Sequence, residues 1–123
     1  MRYVHVTFLA ILVFFAALQV NDPDWYYWGP VYLLAAVWSG LALWRPGAFA
    51  RSQAVAAGAA ISIVLFLAGF AWLARELGPG WIHNEEARES LGYLICAATT
   101  AFALWEARLR SRRATADAAG QAR

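Results

Sequence analysis

The sequence predicts an all-α fold, a polytopic membrane four-helix bundle running up-down-up-down with both termini cytoplasmic. Three observations predict it. The chain of 123 residues is 62% hydrophobic and only 15% charged, too apolar for a small water-soluble domain. Four segments, about 3–20, 25–44, 53–74 and 86–105, carry charge only at their ends. A hydrocarbon core about 30 Å thick needs about 20 such residues per helix. The ten basic residues are all arginine and divide unevenly between the two sides of that arrangement.

The first segment, Tyr3–Val20, follows Met1-Arg2 and could mimic a secretory leader. It lacks a small-x-small cleavage site before Asn21-Asp22-Pro23 and reads as a retained helix. Trp25–Trp44 is the second span, closed by Arg45-Pro46-Gly47, a turn that stops a helix. Gln53–Ala74 is the third, and Leu77-Gly78-Pro79-Gly80-Trp81-Ile82 links it to the fourth, Glu86–Trp105. Connections this short make sequential helices antiparallel neighbours. Residues 1–108 therefore form one transmembrane domain, and 109–123 a basic cytoplasmic tail expected to fray. The lone Cys96 lies inside a span and can form no internal disulfide.

Orientation follows from the arginines. Arg2, Arg45, Arg51, Arg108, Arg110, Arg112, Arg113 and Arg123 share one side, which the positive-inside rule makes cytoplasmic; Arg75 and Arg88 share the other. Trp25, Tyr26, Tyr27, Trp28, Trp72 and Trp81 then form an outer aromatic belt. Helix packing in lipid relies on small residues that permit close approach. Glu85, Glu89, Gly92, Cys96, Thr99 and Ala103 make a small and polar seam on the last helix, and Ala36/Gly40 and Gly58/Ser62 give small pairs on the second and third.

Carboxylates carry the possible chemistry. Asp22 and Asp24 follow the first span, and Glu76, Glu85, Glu86 and Glu89 surround the third loop, so all share the outer face. Helix capping accounts for much of this: Asp22 before a helix beginning at Pro23, Asn84 before the last helix, and Arg88 paired with Glu85 one turn back. Capping does not account for depth. Leu91 to Trp105 is about 22 Å of helix at 1.5 Å per residue, so the last span must draw in Glu89. A carboxylate at that depth should face inward and find a partner, best sought in Gln19 and the Asn21–Asp24 loop. Glu76, beside Arg75, is expected to stay solvated.

The run Gln19-Val20-Asn21-Asp22-Pro23-Asp24 with its trailing aromatics, Pro30 and Tyr32, together with Asn84-Glu85-Glu86-Ala87-Arg88-Glu89-Ser90-Leu91-Gly92, resembles the transmembrane 220 family. The likeness covers roughly Tyr3 to Arg108. It implies a small four-helix membrane protein and no established biochemical activity.

The favoured functional expectation is an accessory or interaction subunit, docking through its acidic mouth to a larger membrane complex or to further copies of itself. Gln19, Asn21, Asp22, Asp24, Asn84 and Arg88 are the candidate ligand- or partner-binding residues. The alternative is a site for a metal ion or cationic small molecule, with Asp22, Asp24, His83, Glu85, Glu86 and Glu89 as candidate metal ligands. Oxygen donors suit a divalent cation such as Ca²⁺ or Mg²⁺, while His83 would admit a transition metal. A membrane enzyme using paired carboxylates comes last: the chain has no HExxH, no phosphate-cradling glycine loop and no CxxCH. Lipid is the expected environment, nucleic acid is not an expected partner, and the alanine- and arginine-rich composition points to the bacterial inner membrane.

Overall fold

The computed structural model describes residues 2–123, which are almost wholly helical, with no strand among them. Helix α1 spans Arg2–Leu18 and tightens into a 3₁₀ turn at Gln19–Asn21; α2 spans Trp25–Trp44. A single turn, α3 (Ala48–Arg51), leads to α4 (Gln53–Leu73). Two further 3₁₀ turns, Ala74–Glu76 and Trp81–His83, precede α5 (Glu85–Gln121). Three of these helices, α1, α4 and α5, are long and apolar enough to cross a membrane. α2 is as long, but its opening Trp25-Tyr26-Tyr27-Trp28-Gly29-Pro30 dilutes its aliphatic content.

α5 is the central helix. Its apolar window is 61% buried, against 17% for α1 and α4. α1 packs on α2, while α2 and α4 both pack on α5. The seam Gly92, Cys96, Thr99, Ala103 is buried, in keeping with small residues where helices approach closely. A Cβ at Gly92 would collide with the Tyr32 hydroxyl of α2. The Gly58/Ser62 notch on α4 instead receives a side chain: the Trp38 indole lies over Gly58, and its Nε1 donates to Ser62 Oγ at 3.1 Å.

Two apolar clusters fill the interior. One gathers Leu12, Trp28, Tyr32, Phe66, Tyr93 and Cys96; the other gathers Ala42, Phe49, Ala59, Ala103 and Leu104. Along their helices Ser39 and Thr100 fall between the clusters, both fully buried, their hydroxyls without a partner among the described residues. The sequence placed Trp28 in an outer belt with its neighbours. The structure corrects this: Trp25, Tyr26, Tyr27, Trp72 and Trp81 are exposed, but Trp28 is 4% exposed, its ring centroid 4.8 Å from that of Tyr93.

The last segment also differs from expectation. Instead of fraying, residues 109–121 continue α5 as an exposed helix. Alanine, arginine and glutamine are strong helix formers, and the Thr115 hydroxyl donates to the Ser111 carbonyl at 3.0 Å.

Candidate functional site

The turn between α1 and α2 is built around Pro23. The residue before a proline is pushed out of the helical region, and Asp22 is extended at φ −88°, ψ 148°. Its carbonyl accepts from Trp25 N at 3.2 Å, closing a tight turn over Pro23 and Asp24. α2 therefore begins at Trp25, with Asp24 in the cap position, and the expected cap by Asp22 is not formed. Asp24 caps with its backbone only: its carbonyl accepts from Tyr27 N and Trp28 N at 2.9 and 3.2 Å, and its side chain makes no cap bond. That leaves the carboxylate free to reach α5.

At the start of α5 the cap is the expected one. Asn84 accepts from Ala87 N at 3.3 Å through its side-chain oxygen. Its Nδ2 also donates to Glu76 Oε2 at 3.2 Å, stitching the end of α4 to the start of α5. Glu76 is thus half-buried and engaged, not a solvated partner of Arg75 alone, from which it lies 3.7 Å. Arg88 does not pair with Glu85; its Nη1 donates to the Ile82 carbonyl at 3.2 Å.

Glu85 and Glu89, four residues apart, share one face of α5. Asp24 comes to meet them, and one oxygen from each of the three lies within 4.8 Å of the other two. Asp24 and Glu89 are half-buried and Glu85 exposed. No arginine or histidine forms an ion pair with any of them among the described residues. The other positions singled out in the sequence do not join this group. Asn21, Asp22, His83 and Glu86 are exposed, and Gln19 is half-buried in its 3₁₀ turn. Three like charges at this separation repel unless a proton or a cation intervenes. Oxygens so placed can converge on one hard cation or one ammonium group.

A second polar group lies 17 positions further along α5, about 25 Å at 1.5 Å per residue. Glu106, 5% exposed, accepts from Arg110 Nε at 3.0 Å and Nη2 at 2.7 Å through one oxygen. Its other oxygen accepts from His5 Nε2 of α1. His5 is 1% exposed, and its Nδ1 has no partner among the described residues. Sequence reasoning passed over this group. The available signals were a histidine inside an apolar helix and a Glu–Arg pair spaced four apart, but nothing in the sequence joins residues 101 positions distant.

The family model described as "Transmembrane family 220, helix" matches residues 11–105, more than three quarters of the chain. No curated protein and no solved structure matches. The matched region runs from the middle of α1 through the three-carboxylate group to the last apolar turn of α5. The chain is an integral membrane protein that belongs to the transmembrane 220 family.

Proposed function

We propose that this is a four-span protein of the bacterial inner membrane, running up-down-up-down between cytoplasmic termini. At its extracytoplasmic mouth, Asp24, Glu85 and Glu89 hold a metal ion or a cationic group. The arginine asymmetry and the short loops support the topology. The observation that carries the binding reading is the convergence of three carboxylates within 4.8 Å without a basic partner among the described residues. Capping alone gives Asp24 no reason to direct its side chain across to α5. His83 stands outside the group, so the donors are all oxygens, which suits a hard cation or an amine rather than zinc or copper.

Thermal unfolding of the purified protein against a panel of Mg²⁺, Ca²⁺, Mn²⁺, Zn²⁺ and methylammonium tests this reading. A bound cation at about 100 times its Kd adds about 2.7 kcal/mol of stability, and Glu89→Gln should abolish the gain. A wild-type protein indifferent to the whole panel would sink the proposal.

A second reading, an accessory subunit, is supported by the arm at 109–121, which is helical and exposed throughout almost all of its length. Mild detergent extraction should then recover a larger assembly that removal of 109–123 disperses. A monomer under all such conditions would count against it.

A further inference from the structure

α2 and α4 both lie against α5 yet barely touch each other. The Trp38 indole, bonded to Ser62, is wedged between them. Beyond that wedge they leave an apolar groove of about 560 Å³, open to the side, with Pro30 and Leu34 on one wall, Leu65 and Phe66 on the other, and Tyr93 as the floor. A second cavity of about 350 Å³ shares Tyr27, Gly69 and Tyr93 with the first and ends at Trp72 and Glu89. At the junction a glycine lets the Tyr93 ring lie close against α4: a Cβ on Gly69 would lie 2.6 Å from that ring. At the same place the Tyr27 and Tyr93 hydroxyls hydrogen-bond to each other, putting polar atoms where the apolar groove ends.

One charge lines the inner cavity, and one of opposite sign lies against its wall. Glu89 supplies a carboxylate. The Arg75 guanidinium stands 4.7 Å from the ring centre of Trp72, which lines the cavity; this cation–π contact holds a positive charge behind that wall, with Glu76 at 3.7 Å. An apolar channel that opens sideways, then two hydroxyls, then a carboxylate and a guanidinium, matches one kind of amphiphile. We propose that the groove between α2 and α4 holds one chain of an amine-headed phospholipid, with its ammonium at Glu89 and its phosphate toward Arg75. This rests on the reading that the three carboxylates take a cationic group. An alcohol-headed phospholipid would bring a phosphate to Glu89 without an ammonium. A choline head would bring a charge that cannot donate hydrogen bonds to the carboxylate.

The experiment is native mass spectrometry of the full-length protein, released from micelles doped equally with dioleoyl phosphatidylethanolamine, phosphatidylglycerol and phosphatidylcholine. One phosphatidylethanolamine should be retained at about tenfold over either competitor, the discrimination expected of a charge-assisted hydrogen-bonded head. Leu65→Trp fills the groove from a wall position that is 61% exposed, so the fold tolerates it, and retention should vanish. Glu89→Gln should have the same effect; if that variant does not fold, Leu65→Trp decides alone. Equal retention of the three lipids, or retention unchanged by Leu65→Trp, would overturn the inference. Stabilisation by a small cation without lipid selectivity would overturn it while leaving the cation site standing. Failure of both measurements would remove both.

Discussion

Glu106 links α1 to α5 through His5 and holds Arg110 on its own helix, so its removal should be felt across the molecule. Glu106→Ala leaves His5, 1% exposed, with neither ring nitrogen partnered, since Nδ1 already lacks one. An orphaned buried polar group costs about 1–3 kcal/mol. The lost pair with Arg110 adds less, about 0.5–1 kcal/mol, because that guanidinium side chain is 51% exposed and largely screened. The expected total is about 1.5–4 kcal/mol, read as the shift in reversible unfolding by SDS in mixed micelles. The double variant His5→Leu, Glu106→Leu removes the buried donor and acceptor together, and a buried polar pair replaced by apolar groups is often neutral. It should therefore recover most of the loss. A Glu106→Ala cost below about 0.5 kcal/mol, or a double variant as damaged as the sum of its single changes, would refute this account.

Two further outcomes follow from packing. Gly92→Ala puts a methyl group into the Tyr32 hydroxyl where α2 packs on α5, and should cost about 1–3 kcal/mol in the same unfolding assay; the double variant with Tyr32→Phe should restore part of it. Asn84→Ala removes both the cap on α5 and the tie to Glu76, and should cost about 1 kcal/mol while raising amide exchange at Ala87, whose N–H loses its acceptor.

Much of the architecture is legible because it is a matter of length and apolarity. The ends of α2 and the start of α4 coincide with breaks that can be read from Pro46, Gly47 and Ser52. The inward seam of α5 from Gly92 to Ala103 follows from the period of its small residues, although the exposed Glu85 at its start falls outside it. What is not legible is azimuth. Trp28 sits in a run of four aromatics, and only the packing of α2 on α5 decides that it turns inward while Trp25, Tyr26 and Tyr27 face out. The same holds for the carboxylates: Asp22 and Asp24 are two residues apart, Glu85 and Glu86 adjacent, and in each pair one member reaches the group and the other does not. The groove between α2 and α4 is a property of two helices that miss each other, for which no local sequence signal exists.

The two polar groups on α5 bear on each other's meaning. At Glu106 the fold supplies a buried carboxylate with everything it needs: an arginine one turn along on the same helix and a histidine from α1. A counter-charge four residues away is thus within this chain's means, and it is used where the carboxylate serves only to join helices. At Glu89 the position four residues on is Tyr93 and the position four back is Glu85, so the helix offers an aromatic and a like charge instead. Asp24 adds another negative charge from α2. Arg88, next door, is turned to the Ile82 carbonyl, and Arg75 lies over Trp72 beside Glu76 rather than pairing with any of the three. A cluster meant only to cap helices would gain stability from a nearby arginine, about 0.3–1 kcal/mol for a surface charge pair. Its lack of one among the described residues, beside a cavity lined by Glu89, supports the proposal that the positive charge arrives from outside the chain.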